Sequence, residues 1–300
     1  MPAEKVALAT GGSSGIGLAV ARKLVAAGTR VALVARTERT LREAAASLAR
    51  GAIGFLGATQ LPRVSANTET RSSRAEIFPL DVKDLPAVAA LPQKVVDRMG
   101  ALDIVINNAG LNHRGPMLNH PPLDLADVVT TNLTAPVVLC RAAAPLLRPG
   151  GSIVNVASLA GMVPVRFQAT YGASKAGLRA FSRAIRQELR EQRISVSVVS
   201  PGPVDTGFFG ENLEAVADIN FSQPMSTADE VADAIMACLR HGHEEVAVPW
   251  LSGKLCTLGY LSTGLLLLLQ PAMERRGARA KRAFIERKRG QVAARPGGGD

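Results

Sequence analysis

"TGGSSGIG", Thr10–Gly17, follows the apolar run "KVALAT" and opens Gly15–Ala27, a segment whose apolar residues recur at helical spacing. Glycines at 11, 15 and 17 permit a tight turn, close approach of the backbone to a pyrophosphate, and tight packing of helix on strand. The start of the helix adds free amides and the positive end of its dipole, which suit phosphate. A glycine-rich turn with only a structural purpose would look the same in isolation. The strand–turn–helix setting is what carries the dinucleotide-binding reading.

Along the rest of the chain, "RVALVA", "AEIFPL", "LDIVINNA", "GSIVNVAS", "ISVSVVS" and "EEVAVP" alternate with amphipathic stretches such as Tyr171–Gln192. Short, continuous, Val/Ile-rich runs read as strands buried on both faces, and their alternation with helices predicts a doubly wound, mostly parallel α/β sheet. Between Gly51 and Arg74 the periodicity lapses into Gly, Ser, Thr and Pro. A long surface loop is expected there, as an insertion or a partner loop.

With 47% apolar and 20% charged residues in 300, disorder throughout is excluded, and one large domain with an appendage is expected. Of the 35 Lys/Arg and 25 Asp/Glu, nine and three fall between Gln270 and Asp300, so the tail holds +6 of the net +10. That distribution, with 4% aromatics, argues against a nucleic-acid partner. Cys140, Cys238 and Cys256 are odd in number and without ligand spacing, which points to a reducing compartment and no structural zinc. His241 and His243 lack a third ligand, so no metal is expected. "MPAEKVALAT" has no basic n-region followed by a long apolar stretch, so an intracellular protein is expected.

The second strand ends "VALVARTER". An NAD site places a carboxylate here for the ribose hydroxyls, whereas Ala35 leaves room and Arg36 offers a guanidinium to a 2′-phosphate. NADP(H) is the expected cofactor. A solvated arginine opening a loop is the competing explanation.

In "YGASK", one of only two tyrosines stands four residues before a lysine. On a helix Tyr171 and Lys175 share a face. A phenol ordinarily titrates near about 10, and a neighbouring ammonium favours its phenolate, so Lys175 is expected to lower the pKa of Tyr171.

Further motifs are "LDV" at 80–82, "NNAG" at 107–110, Asn132 in "TTNLTAP", Ser158 in "NVASLAG", and "SPGPVDT" at 200–206. With these in order from Lys5 to Pro249, the chain resembles the short-chain dehydrogenase/reductase family, in the form with a TGxxxGIG turn and an Asn–Ser–Tyr–Lys catalytic set. The resemblance implies a single Rossmann-type catalytic domain, residues 1–249, and a homo-oligomer, dimer or tetramer. It makes Ser158, Tyr171, Lys175 and Asn132 catalytic: Ser158 polarises a carbonyl, Tyr171 protonates the alkoxide, Lys175 also holds the nicotinamide ribose, and Asn132 anchors a water on the proton path.

The cofactor site implied by the resemblance begins with Thr10, Gly11, Ser13, Ser14, Gly15, Ile16 and Gly17, with Arg36 beyond. Asp81 and Val82 flank the adenine, while Asn108, Ala109 and Gly110 line the middle of the site. Pro201, Gly202, Val204 and Thr206 stand by the nicotinamide, and Tyr171 and Lys175 serve both sites. Asn107 is expected to stabilise the sheet. Asn132-Leu-Thr134 also matches a glycosylation sequon, a use rejected for an interior position without a secretory signal.

After Pro249 the family pattern stops. "WLSGKLCTLGYLSTGLLLLL" at 250–269 is mostly apolar and carries only Lys254 as a charge, and a cationic segment follows. Three readings compete for this 250–300 tail: a membrane-surface anchor, a substrate-covering or subunit-packing helix, and a single span. Under the first, Leu265–Leu269 enter the acyl boundary while Arg275, Arg276, Arg279, Lys281 and Arg282 meet head groups. Removal at Pro249 would then leave a soluble catalytic domain.

The expected activity is NADPH-dependent reduction of a ketone or aldehyde to an alcohol, reversible with NADP⁺, in the cytoplasm or on the cytosolic face of a membrane. Two alternatives stand beside it: reduction of lipid-like 3-keto compounds, and an idle NADP(H)-binding sensor or tethered module.

Overall fold

The computed structural model describes residues 4–55, 74–206, 218–261 and 263–293. Seven parallel strands form one sheet: β1 Val6–Thr10, β2 Arg30–Ala35, β3 Ala75–Pro79, β4 Ile104–Asn107, β5 Ser152–Val156, β6 Ser195–Pro201 and β7 Glu245–Val248. Their order is β3-β2-β1-β4-β5-β6-β7, so the winding reverses between β1 and β4. That switch opens a crevice at the carboxyl ends of the strands, where ligands of such sheets bind.

Nine helices are described: α1 Gly15–Ala26, α2 Glu38–Phe55, α3 Leu85–Met99, α4 Pro122–Val129, α5 Ala135–Ala143, α6 Ala169–Glu188, α7 Ala228–His241, α8 Trp250–Leu261 and α9 Thr263–Ala293. Successive strand residues serve opposite faces. Ala7, Ala9 and Leu33 join Val20, Leu24 and Ile235 in one core. Val6, Leu8 and Val34 join Leu91, Leu139 and Ile153 in the other. Burial of each such large side chain is worth about 1.5–3 kcal/mol, which is why both faces must be covered by helices.

Local signals set the helix ends. Asp84 accepts from the Ala87 amide (3.0 Å) to begin α3, and Gly100, at φ 84°, ends it. Thr227 and Glu230 form a reciprocal capping box on α7. α6 starts two residues earlier than Tyr171 and stops at Glu188, short of the expected Gln192. α2 carries helix through Gly51–Phe55, where a loop was expected, because the amphipathic run from Glu38 propagates into it. The rest of that expected loop, 56–73, lies outside the described residues.

The chain beyond Pro249 packs on the sheet. A Cβ on Gly253 would sit 2.2 Å from that of Ala247, so α8 lies directly against β7. α9 rests on the short 3-10 turn Asp218–Phe221: Phe284 packs against Phe221 with tilted rings 5.7 Å apart, and Lys281 pairs with Asp218 at 3.1 Å. The expected assignment of Lys281 to head groups therefore gives way to this ion pair. The side chains of Leu265–Leu269 lie outside the described residues. Among the described residues, one helical stretch, Pro122–Leu146, is long and apolar enough to cross a membrane, and it contributes Leu139 and Ala143 to the core.

Candidate active site

The crevice floor is built by β1 and β4. Thr10 Oγ1 accepts from the amides of Asn108 (3.0 Å) and Ala109 (3.1 Å) and donates to the Ile106 carbonyl (3.3 Å). The Asn108 amide group donates back to the Thr10 carbonyl (3.1 Å). Thr10 thus locks the two strand ends at the switch point. The turn above it admits no side chains at two positions: a Cβ on Gly17 would lie 2.1 Å from the Gly11 carbonyl oxygen, and one on Gly11 (φ 65°) 2.7 Å from Asn108 Nδ2. Ser14 ends the turn in an extended conformation without a side-chain cap, which leaves the first amides of α1 for a ligand. Across the crevice, a Cβ on Gly15 would come 3.4 Å from the side chain of Thr206.

Beneath the floor, the buried Asn107 donates to Asn155 Oδ1 (2.8 Å), and Asn155 donates to Ser182 (2.7 Å), tying β4, β5 and α6 together. This is the structural use expected of Asn107. Cys140 lies alongside, and burial pushes its thiol up to about 12, so it is inert. All three cysteines are free and buried. Among the described residues, no cluster of His, Cys, Asp or Glu could hold a metal ion.

Asn132 is fully buried in a π-helical turn, Thr130–Thr134, between α4 and α5. Its side chain accepts from the Leu111 amide (2.8 Å) and donates to the Leu111 carbonyl (2.8 Å) and Ser174 (3.1 Å). Such turns recur at functional sites. Here the turn aims one amide at the loop that follows "NNAG".

Ser158, Tyr171 and Lys175 come together through the contact of α6 with the 3-10 turn Leu159–Gly161. A Cβ on Gly172 would lie 2.9 Å from the Ala160 carbonyl oxygen, and one on Gly161 2.7 Å from the Lys175 carbonyl carbon. The glycine inside "YGASK" is what lets that turn approach. Lys175, 4% exposed, donates to the Val156 carbonyl (2.8 Å) and lies 5.9 Å from the centre of the Tyr171 ring. Burial pushes its pKa down to about 8.

The Tyr171 phenol is raised above its ordinary value, first by burial, against which the Ser158 hydroxyl and the positive charge of Arg114 pull it back. This corrects the expectation that Lys175 lowers it. The ammonium is turned to a carbonyl and is itself short of solvation. Arg114, in the loop after β4, was missed by sequence reasoning, because nothing in "NHRGP" signals that its guanidinium meets a residue 57 positions later.

One open cleft of about 1370 Å³ joins these parts. Its walls include Gly11, Ser14, Gly15 and Ile16 of the turn, Asn108–Gly110, then Ser158, Tyr171 and Lys175. Pro201, Gly202, Val204 and Thr206 face them, as do Arg114 and several residues of α8 and α9. Thr10, Gly17 and Asn132 stand behind this surface as supports. Arg36, exposed at the end of β2, and Asp81 and Val82, after β3, lie outside the cleft lining. Arg36 stands near enough to Lys83 for their charges to oppose, although Lys83 is held protonated by Asp127 at 2.8 Å. Asp81 accepts from the Lys83 amide (3.0 Å) and shapes that turn. Asn112 Oδ1 and Gln223 Oε1, both from cleft-lining residues, are buried acceptors without a partner.

Known proteins are similar to this chain in sequence and fold. The family model for short chain dehydrogenase matches residues 5–59 and 51–217. The ketoacyl reductase HetN of Nostoc sp. is 32% identical over 251 residues, 81% of this chain and 78% of that protein. A fatty acyl-CoA reductase of Acinetobacter baylyi is 31% identical over 85% of this chain and 79% of its own. A short chain dehydrogenase from Burkholderia cenocepacia, solved in complex with NADP, superposes with a TM-score of 0.68 at 30% identity, covering 81% of this chain and 95% of that one.

Proposed function

The chain belongs to the short-chain dehydrogenase family of oxidoreductases, and on that footing we propose that it is an NADPH-dependent reductase of ketones or aldehydes, with Tyr171 as proton donor. The observation that carries this reading is the convergence of Ser158, Tyr171 and Lys175 on the same cleft wall system as the glycine turn. The turn fits a dinucleotide, since Gly11 and Gly17 leave no space for side chains and α1 opens with free amides. Bound there, the nicotinamide supplies the hydride.

The chain's own residues do the rest. Ser158 donates to the carbonyl oxygen and polarises it, and Tyr171 delivers its proton to the oxygen as negative charge develops. Lys175 would hold the cofactor ribose. Asn132 positions Leu111 and Ser174 around this set and, through the π-helical turn, a water on the proton path. Arg36, with Lys83 beside it, favours a 2′-phosphate, which supports NADPH over NADH. Asp81 and Val82 bound the adenine side.

Residues 1–249 act as the catalytic unit in a homo-oligomer inside the cell, and α8 and α9 of the 250–300 extension complete the cleft. Exposed Arg275, Arg279 and Arg282 on α9 support contact with an anionic membrane surface on the cytosolic side.

The test is NADPH oxidation against a carbonyl panel. Tyr171→Phe should lower turnover about 10²–10⁴-fold with NADPH affinity kept. Arg36→Ala should reduce the preference for NADPH over NADH about tenfold or more. Near-normal turnover without the phenol would overturn the assignment of the acid, and equal loss of both cofactors would make Arg36 a loop support.

A further inference from the structure

α8 presents two stripes at helical spacing. Ser252, Cys256 and Gly259, four and three residues apart, are small and buried, with Gly253 beside them against β7. Leu251, Leu255 and Leu258 repeat the same spacing one position away, yet are 54%, 60% and 54% exposed. Three leucines in a row on a well-seated helix form an apolar surface that a monomer seldom leaves facing water without a use.

These leucines do not face bulk solvent at random. All three line the cleft that holds Tyr171. Met162, Val163 and Val165, from the loop that follows the Ser158 turn, line the same cleft, as does Met273 of α9. α9 is fixed by the fit of Gly277, where a Cβ would lie 1.9 Å from the Asp218 carbonyl oxygen. The described lining also carries no Asp or Glu; its charged members are Arg114, Arg166, Lys175 and Arg276.

We infer that the leucine stripe of α8 and the 162–165 loop form a binding groove for a long, unbranched apolar chain carried by the carbonyl substrate. The inference rests on the reductase reading and adds to it the class of substrate. The groove's occupant is chosen by continuity: the groove runs into the wall that bears Ser158 and Tyr171, so a chain lying in it places its own end at the reacting groups. Burial of each methylene along the leucines supplies binding energy remote from the chemistry, which can be spent on orienting the carbonyl.

Two measurements on the full chain test this. The first is calorimetric binding of straight-chain alkanols, from butan-1-ol to dodecan-1-ol, with NADPH present, a pairing of two reduced partners that cannot react. Affinity should rise about two- to fourfold per methylene until the groove is filled. The second is kcat/KM for NADPH-dependent reduction of 2-alkanones of matching lengths, which should climb in parallel.

Leu255→Asp and Leu258→Asp replace side chains that are more than half exposed, so the fold is not at risk. Each should cut the dodecanol-to-butanol affinity ratio about tenfold. Chain-dependent binding with no turnover of any ketone would support the groove and sink the reductase reading. Turnover with a flat dependence on chain length would overturn the groove and leave the reductase reading standing. Conversion of an oligomer to monomers by the aspartate variants, with flat chain dependence, would overturn it in favour of a subunit interface.

Discussion

Lys175 brings an ammonium into a site that water hardly reaches, and its pKa near 8 records the strain of doing so. Between about 8 and the ordinary 10.5, the folded chain binds fewer protons than the unfolded one, so stability rises with pH across that window. Below about 8 the full penalty applies, about 3 kcal/mol. Lys175→Met should therefore melt higher than the parent at pH 7, and the gap should shrink towards pH 10. A constant gap in thermal melts would contradict it. Above about pH 9 the buried thiols pull the other way, as burial raises their pKa values, so the comparison with the variant isolates the lysine. Arg114 gives a second test. Under the proposed reductase reading, alcohol oxidation needs the Tyr171 phenolate, and the guanidinium lowers the phenol's pKa. Arg114→Met should move the alkaline rise in the oxidation rate to higher pH, read from a pH–kcat/KM profile, whereas a merely structural arginine would change the rate without moving the limb. The sequence showed Tyr171 and Lys175 because helical spacing alone puts them on one face. Arg114 stayed hidden because a loop has no period from which its direction could be read.

Among the strands and helices, the seven strands and the turn from Thr10 to Gly17 were legible, since strands buried on both faces must be written as apolar runs and a turn this tight must be written in glycine. Gly17→Ala tests that requirement: its methyl would meet the Gly11 carbonyl oxygen at 2.1 Å, so the turn must open. NADPH affinity, measured by fluorescence titration, should fall at least about tenfold, and stability by about 1–3 kcal/mol. Unchanged affinity would show that α1 can shift without harm. α8 was not legible. Ser252, Gly253, Cys256 and Gly259 look like interruptions in an apolar segment until β7 is set against them, and only then become the seat of the helix.

For the protein as one body, this seating alters what removal of the C-terminal helices should do. A chain ending at Pro249 uncovers β7, the Leu159 turn and Phe221, which loses its packing against Phe284. The truncated protein should melt a few degrees lower and bind an exposed-surface dye more strongly, since even about 1–2 kcal/mol lost from a chain of this size lowers the midpoint by about 2–3 °C. A truncation as stable as the full chain would show that α8 and α9 contribute nothing to the fold. The charge is divided in the same way as the structure: the last helix is cationic, while the nearly balanced remainder carries the sheet.

The π-helical turn at Thr130–Thr134 also sets the phase between the two helices it joins. α4, the turn and α5 form one continuous rod containing a surplus residue, because a π turn holds one residue more than the α-helix can place there. A chain shorter by one residue in this turn could heal into an unbroken α-helix, gaining regular hydrogen bonds. The half of the rod before the healed point would rotate by about a quarter turn relative to the half after it, and the amide of Asn132 would no longer reach Leu111. Deleting Thr131 should thus yield a protein whose helix content is kept while its turnover is lost, read by circular dichroism beside an NADPH assay. The rod is held out of register with itself, and the misfit is located at the residue that supports the active site.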